Sequence, residues 1–154
     1  MFVHLKAEAN TNYMVTEGAG GGAVNVNRGM AGPWELLLLV SSGGSILDAS
    51  QLTNNMDVGI AAFNGKYLRR DFPSGSVTAD ADNVFIPGAL WKLRKVAGSS
   101  GSAIRHGDMV AFRTGGARPF RYPFQYRWMQ AVNGGGDRAG ISGWMSNPQG
   151  WEKF

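Results

Sequence analysis

The sequence predicts an all-β chain, a β-trefoil built from three diverged four-stranded units. Three observations predict it: a threefold order of shared features, period-two alternation within each copy, and glycine clusters between short apolar runs. Each unit opens on a strand-like stretch, Val3-His4-Leu5-Lys6-Ala7, then Val58-Gly59-Ile60-Ala61-Ala62, then Val110-Ala111-Phe112-Arg113, at spacings of 55 and 52 residues. Each continues with an aromatic followed by a large apolar residue, at Tyr13-Met14, Tyr67-Leu68 and Trp128-Met129. A glycine- or serine-rich turn comes next, at 18–22, 73–76 and 134–136. Each unit closes on a glycine shortly before a tryptophan, at Gly32-Pro33-Trp34, Gly88-Ala89-Leu90-Trp91 and Gly150-Trp151. The intervals from aromatic to closing tryptophan are 21, 24 and 23 residues. Agreement of four features in order across three copies divides one domain, 1–154, into repeats of approximately 1–54, 55–106 and 107–154.

The local pattern is strand. Ala23-Val24-Asn25-Val26-Asn27 and Val77-Thr78-Ala79-Asp80 alternate with period two. The aliphatic run 36–40 is followed by serines and glycines and fits a buried strand in length. Four strands in each of three units give about twelve. Closing them on one another hides the strand edges that would otherwise invite aggregation. The 23 glycines among 154 residues, roughly twice the usual share, supply the positive φ values that so many tight turns need.

Composition narrows the function classes. The 44% hydrophobic content is that of a globular chain, and the absence of cysteine excludes a thiolate nucleophile and a cysteine-rich metal site. No signal peptide is visible at the N-terminus, and a secreted or extracellular setting is favoured if the chain is a module of a larger protein. The run 36–40 is too short to span a bilayer, so no membrane insertion is expected. A net charge of +4 permits weak attraction to polyanions, but without a recognised motif or a basic face nucleic acid is not an expected partner.

Several motifs resemble those of fascin-like trefoils: Asn64-Gly65-Lys66-Tyr67-Leu68, the stretch 104–113, and the endings Gly32-Pro33-Trp34-Glu35 and Gly150-Trp151-Glu152-Lys153-Phe154. The resemblance covers essentially the whole chain. Eukaryotic fascins bundle actin with four tandem trefoils, whereas this chain has the length of one. It is closer in style to bacterial single-domain trefoils, which are similar to carbohydrate-binding modules. The resemblance therefore implies non-catalytic binding of a polysaccharide or glycan, multivalent through two or three weak sites. The alternative it implies is a protein-interaction or structural module, actin binding included. The chain departs from threefold symmetry in carrying Trp91-Lys92 where the other units have Trp-Glu, and in an insertion in the third unit. Ricin-type trefoils carry Gln-x-Trp in each repeat, and here only Gln149-Gly150-Trp151 fits.

The candidate binding residues follow. Trp34 with Glu35, and Trp151 with Glu152, pair an aromatic face able to stack on a pyranose with a carboxylate able to accept hydroxyl hydrogen bonds. Equally, tryptophans repeated at one position can start the last strand of each unit and pack into the core. Adjacent strand residues point to opposite faces, so each pair shares a site only at a bulge or a strand end. From first strand to aromatic, the intervals Leu5–Tyr13, Ile60–Tyr67 and Phe112–Trp128 are 8, 7 and 16 residues. The insertion carries Arg118, Phe120, Arg121, Tyr122, Phe124, Tyr126 and Arg127. It is either a binding loop, with Tyr122 and Tyr126 gripping a sugar or a protein partner, or a cap on the barrel. Trp144, without a counterpart in the other copies, is a candidate exposed platform.

Enzymatic features are thin. His4 and His106 show no metal-ligand spacing, and no cofactor or metal is expected. Asp71, Asp80 and Asp82 read as solvated acids rather than a catalytic pair, and Asp48, Asp57, Asp108 and Asp137 read as turn formers. The glycine run 18–22 lacks the Lys-Ser/Thr of a phosphate loop. No catalytic residue is assigned.

Overall fold

Alternating valines and leucines set the strands of the computed structural model, which describes residues 1–71, 74–114, 127–132, 138–142, 145 and 147–154, the Trp151 side chain excepted. The protein is all-β. Among the described residues there are eleven strands and short 3₁₀ turns, and no helix is long and apolar enough to cross a membrane.

The strands are β1 (Phe2–Val3), β2 (Tyr13–Thr16), β3 (Val24–Arg28), β4 (Leu37–Ser41), β5 (Met56–Ala61), β6 (Tyr67–Asp71), β7 (Ser76–Ala81), β8 (Leu90–Lys95), β9 (Val110–Arg113), β10 (Met129–Ala131) and β11 (Ala139–Ile141). The expected buried strand at 36–40 is β4, with Leu37, Leu39 and Val40 buried. The alternating stretches read as strands at 23–27 and 77–80 are β3 and β7.

Two kinds of pairing organise the molecule, all antiparallel. One runs through the long-range staves: β1 with β4, β4 with β5, β5 with β8, and β8 with β9. Beyond β9, Val110 exchanges both backbone hydrogen bonds with Phe154 at 2.8 Å, and the Glu8 N–H reaches the Lys153 carbonyl at 3.0 Å, bringing the path back to the first segment. The other kind is local: the hairpins β2–β3, β6–β7 and β10–β11. Gly140 in β11 lies opposite Ser76 in β7, and Ala23 bridges Thr78, so the hairpins meet one another.

The registers coincide. Val3 lies opposite Leu37, Val58 opposite Trp91, and Val110 pairs with Phe154. Three residues further on, Lys6 bridges Tyr13, Ala61 lies opposite Tyr67, and Arg113 bridges Trp128. The apolar residue after each aromatic, Met14, Leu68 and Met129, is fully buried. The hairpins β2–β3 and β6–β7 also shift register at the same step, between Tyr13 and Met14 and between Tyr67 and Leu68.

The core gathers the inward faces of these strands, its largest fully buried side chains including Trp91, Phe112, Met14, Leu37, Ile60 and Leu68. Gly59 in β5 is there because of crowding: a Cβ would lie 2.4 Å from Val84 Cγ1 and 2.8 Å from Val40 Cγ2. The buried Asn54 ties the loop after β8 to the start of β5. Its Nδ2 donates to the carbonyls of Gly98 (3.1 Å) and Ser99 (2.8 Å), and its Oδ1 accepts from Lys95 N–H (2.9 Å).

The acids at 71, 80 and 82 stand on the β6–β7 hairpin or just past it, each with a partner. Arg69 grips Asp80 through Nε (2.6 Å) and Nη2 (2.9 Å), Lys66 pairs with Asp82, and Ser74 donates to Asp71. Hydrogen bonds from Arg69, aided by Thr78, hold the Asp80 carboxyl below its ordinary 3.8. A lowered folded-state pKa stabilises the fold above the unfolded value and stops doing so as pH falls through the folded value. Stability is therefore expected to drop as pH goes below 3.8. The Asp80→Asn variant should flatten that part of the profile, read by urea titration at a series of pH values.

Candidate functional site

Pro33 at the first position of a 3₁₀ turn and Glu35 at its third make the segment between β3 and β4 a rigid platform. Proline presets φ there, and the Glu35 carboxylate folds back so that Oε2 accepts the Gly32 N–H at 2.8 Å. Gly32 is needed for that approach, because a Cβ would sit 2.9 Å from the same oxygen. The buried Thr16 at the end of β2 donates its Oγ1–H to the Trp34 carbonyl at 3.1 Å, pinning the turn to the sheet. Trp34 itself is 43% exposed.

A polar network fills the surface around the turn. Glu17, in the 3₁₀ turn Glu17–Ala19, accepts from Asn25 Nδ2 (2.8 Å) and from Arg28 Nη2 (2.9 Å). Arg28 also lies 3.6 Å from Glu35 through Nε, and donates to the Asn27 side chain at 3.1 Å. Asn25 and Asn27 belong to β3, whose flanking Val24 and Val26 are buried, so alternation turns these two amides outward, while Arg28 at the end of the strand reaches Glu17 with its long side chain. On the far side of the glycine loop, Asn64 packs against Gly20. The Asn64 N–H donates to the Ala19 carbonyl at 2.9 Å, and a Cβ on Gly20, at φ 117°, would overlap the Asn64 amide. The glycine run 18–22 is thus a seat for the 63–65 turn. The result is an exposed indole on a fixed turn whose Glu35 links, through Arg28, to the Asn25–Glu17–Arg28 network.

The structure sorts the residues singled out from sequence. Trp34 and the backbone at Trp151 stand in 3₁₀ turns, Pro33–Glu35 and Gly150–Glu152, ahead of the strand position rather than in it. Trp91 does not share their place. It lies within β8, fully buried, donating Nε1–H to the Leu68 carbonyl at 3.1 Å, and its position opposite Val58 corresponds to those of Leu37 opposite Val3 and Phe154 beside Val110. The three tryptophans are therefore not one repeated element.

Glu35 and Glu152 require correction as sugar acceptors. They are only 6% and 3% exposed, and Glu152 Oε2 accepts the Gln149 N–H at 2.9 Å as Glu35 does that of Gly32. Both carboxylates face inward as caps, because a 3₁₀ turn leaves its first N–H groups unpaired. Gln51 makes the same closure at Asp48 N–H, 2.7 Å, in the turn Ala49–Gln51. Tyr122, Tyr126 and Trp144, with the insertion residues 118–126, lie outside the described residues, as does the Trp151 side chain.

Sequence reasoning missed Asn25, Glu17 and Arg28. Their signal was present in the polar positions of an alternating strand beside a glycine turn, but nothing local marks which polar residues converge. Among the described residues no group of three or more His, Asp or Glu is placed to hold a metal ion.

No protein-family model matches the chain, and no curated protein matches it. Among solved structures it is similar to the SDF2-like protein from Arabidopsis thaliana, with a TM-score of 0.64 over 99% of this chain and 89% of that one, at 12% identity. That is a likeness of fold alone, to a β-trefoil-type structure, and it agrees with the all-β architecture.

Proposed function

We propose that this chain is a fascin-like β-trefoil of three four-stranded units that recognises carbohydrate without catalysis, through the surface around Trp34. The three-unit reading is supported by the matched registers Val3–Leu37, Val58–Trp91 and Val110–Phe154, and by the matched hairpin entries at Tyr13, Tyr67 and Trp128. The observation that carries the functional reading is the exposed Trp34 indole on a capped turn beside the Asn25–Glu17–Arg28 network. An aromatic face buries the C–H face of a pyranose, while the amide, carboxylate and guanidinium groups select hydroxyl positions. The ligand is a polysaccharide or glycan, and a single shallow site of this kind binds weakly, with avidity drawn from polymer length.

The test is affinity electrophoresis in gels containing neutral and acidic polysaccharides. Retardation by at least one glycan is expected, at least tenfold weaker in Trp34→Ala and reduced in Asn25→Ala, with both variants folded by circular dichroism. Absence of retardation across the panel, or retardation that survives Trp34→Ala unchanged, sinks this assignment.

A further inference from the structure

A small pocket of about 50 Å³ opens on the outer face of β8 and β9, with Arg94, Lys95, Arg113, Trp128 and Asn147 among the residues lining it. Pockets that enclose a whole small molecule run to roughly 300–1,000 Å³, so this one admits a single functional group. Alternation places its arginines. Trp91 and Leu93 in β8 are buried in the core, which turns Lys92 and Arg94 outward. Lys92 lies opposite Arg113 and Arg94 opposite Ala111, so Arg94 and Arg113 are diagonal neighbours on one face of the strand pair.

The cations around the pocket differ in what holds them. Lys92 is paired with Asp57 at 2.8 Å and Lys95 with Asp108 at 2.7 Å. Arg113 donates from Nη2 to the Asn55 side chain at 3.1 Å, and Asn55 is itself fixed by its N–H on the Leu93 carbonyl at 2.8 Å. Arg94 has no hydrogen-bond or ion-pair partner among the described residues, although its Nε is shut away from solvent. A charged donor buried without an acceptor is costly, and it is satisfied when an acceptor arrives. Among the described residues no acidic side chain lines the pocket to supply one.

The corresponding place on β4 and β5 is filled from within the chain. There Val40 lies opposite Gly59, and Val84, Val40 and Tyr67 close over that glycine: a Cβ on it would lie 2.4 Å from Val84 Cγ1, 2.8 Å from Val40 Cγ2 and 3.5 Å from Tyr67 Cδ1. Val84 is 2% exposed and stands 7 residues before Trp91, as Asn147 stands 7 before Phe154. By register, Arg94 takes the place of Val40, Ala111 that of Gly59, and Trp128 that of Tyr67. An apolar plug on one strand pair is thus replaced on the other by polar and cationic side chains around an open pocket.

We propose that this pocket binds one oxyanion group, a sulfate, phosphate or carboxylate, with Arg94 as its main donor and Arg113 beside it. A guanidinium fork matches the paired oxygens of such groups. The pocket shares no residue with the surface around Trp34, and the proposal does not rest on the carbohydrate reading.

The probe is sodium sulfate, with sodium acetate as a second arm, titrated at an ionic strength held constant with sodium chloride. The Arg94 Nε–H and the Trp128 indole N–H are followed by NMR. Saturable shifts of both are expected, and the anion that binds more tightly identifies the ligand group as tetrahedral or planar. Arg94→Gln, folded by circular dichroism, should bind about tenfold more weakly, and Arg94→Lys, which keeps the charge but loses the fork, should also weaken binding. Lys6→Gln makes the same charge change in the first segment and should leave binding unaltered. Shifts that grow without saturating, shifts that chloride produces equally, or an equal loss in Lys6→Gln and Arg94→Gln would each overturn the proposal.

Discussion

Replacing Trp91 with alanine is expected to destabilise the protein by about 3–5 kcal/mol, the range for deleting a buried large aromatic side chain. Two losses combine. The indole is fully buried near the start of β8, opposite Val58, so its removal leaves a cavity between staves that the antiparallel frame cannot collapse. The Leu68 carbonyl also loses the Nε1–H donor that reaches it at 3.1 Å. Trp91→Phe separates the two, restoring most of the packing without the hydrogen bond, and is expected to recover more than half of the loss. Urea titrations of both variants give the measurement. A Trp91→Ala cost below about 1 kcal/mol, the level of an ordinary surface change, would contradict this account of the core.

Asn54→Ala is the second large effect, expected at about 2–3 kcal/mol, from three hydrogen bonds of about 1 kcal/mol each net. Asn54 is 2% exposed, and its amide satisfies Gly98, Ser99 and Lys95 at once, while its own backbone N–H and C=O bond Ser102 and Gly101. Alanine leaves the Lys95 N–H, at the end of β8, without an acceptor. Asn54→Asp keeps an acceptor for Lys95 but sets a carboxylate against two carbonyls, and should be at least as damaging. Hydrogen exchange at Lys95 and Gly101 should accelerate in both variants, locating the loss in this loop.

Much of the architecture was legible in the chain. The aromatic–apolar pairs Tyr13-Met14 and Tyr67-Leu68 open strands, because an apolar residue after a half-exposed ring meets the strand's alternating burial, and Met129 opens another directly behind Trp128, which is itself buried. The buried run at 36–40 was equally clear. The closing tryptophans misled, since Trp34 and Trp91 look alike in sequence after a glycine. What separates them is Pro33 and Glu35, which fold a capped turn that delays the strand until Leu37, three residues after Trp34. Leu37, Trp91 and Phe154 take the shared place, three different side chains that no search for identity would align. The candidate site was half visible: Trp34 was singled out, but its neighbours Glu17, Asn25 and Arg28 converge through a hairpin register that spacing alone does not reveal.

The pairing described above also sets an order of assembly. β5 meets β4, β6 and β8, so the residues from Leu37 to Lys95 zip together through contacts of modest sequence separation. The hydrogen bond between Glu8 and Lys153 instead closes a loop of 145 residues, 153 minus 8. Loop-closure entropy rises with the logarithm of length, and such non-local contacts form late on the way to the native state. The middle of the chain is therefore expected to form first, and the seam joining first and last segments to lose its amide protection before the rest, which hydrogen exchange at Glu8 and Phe154 would read.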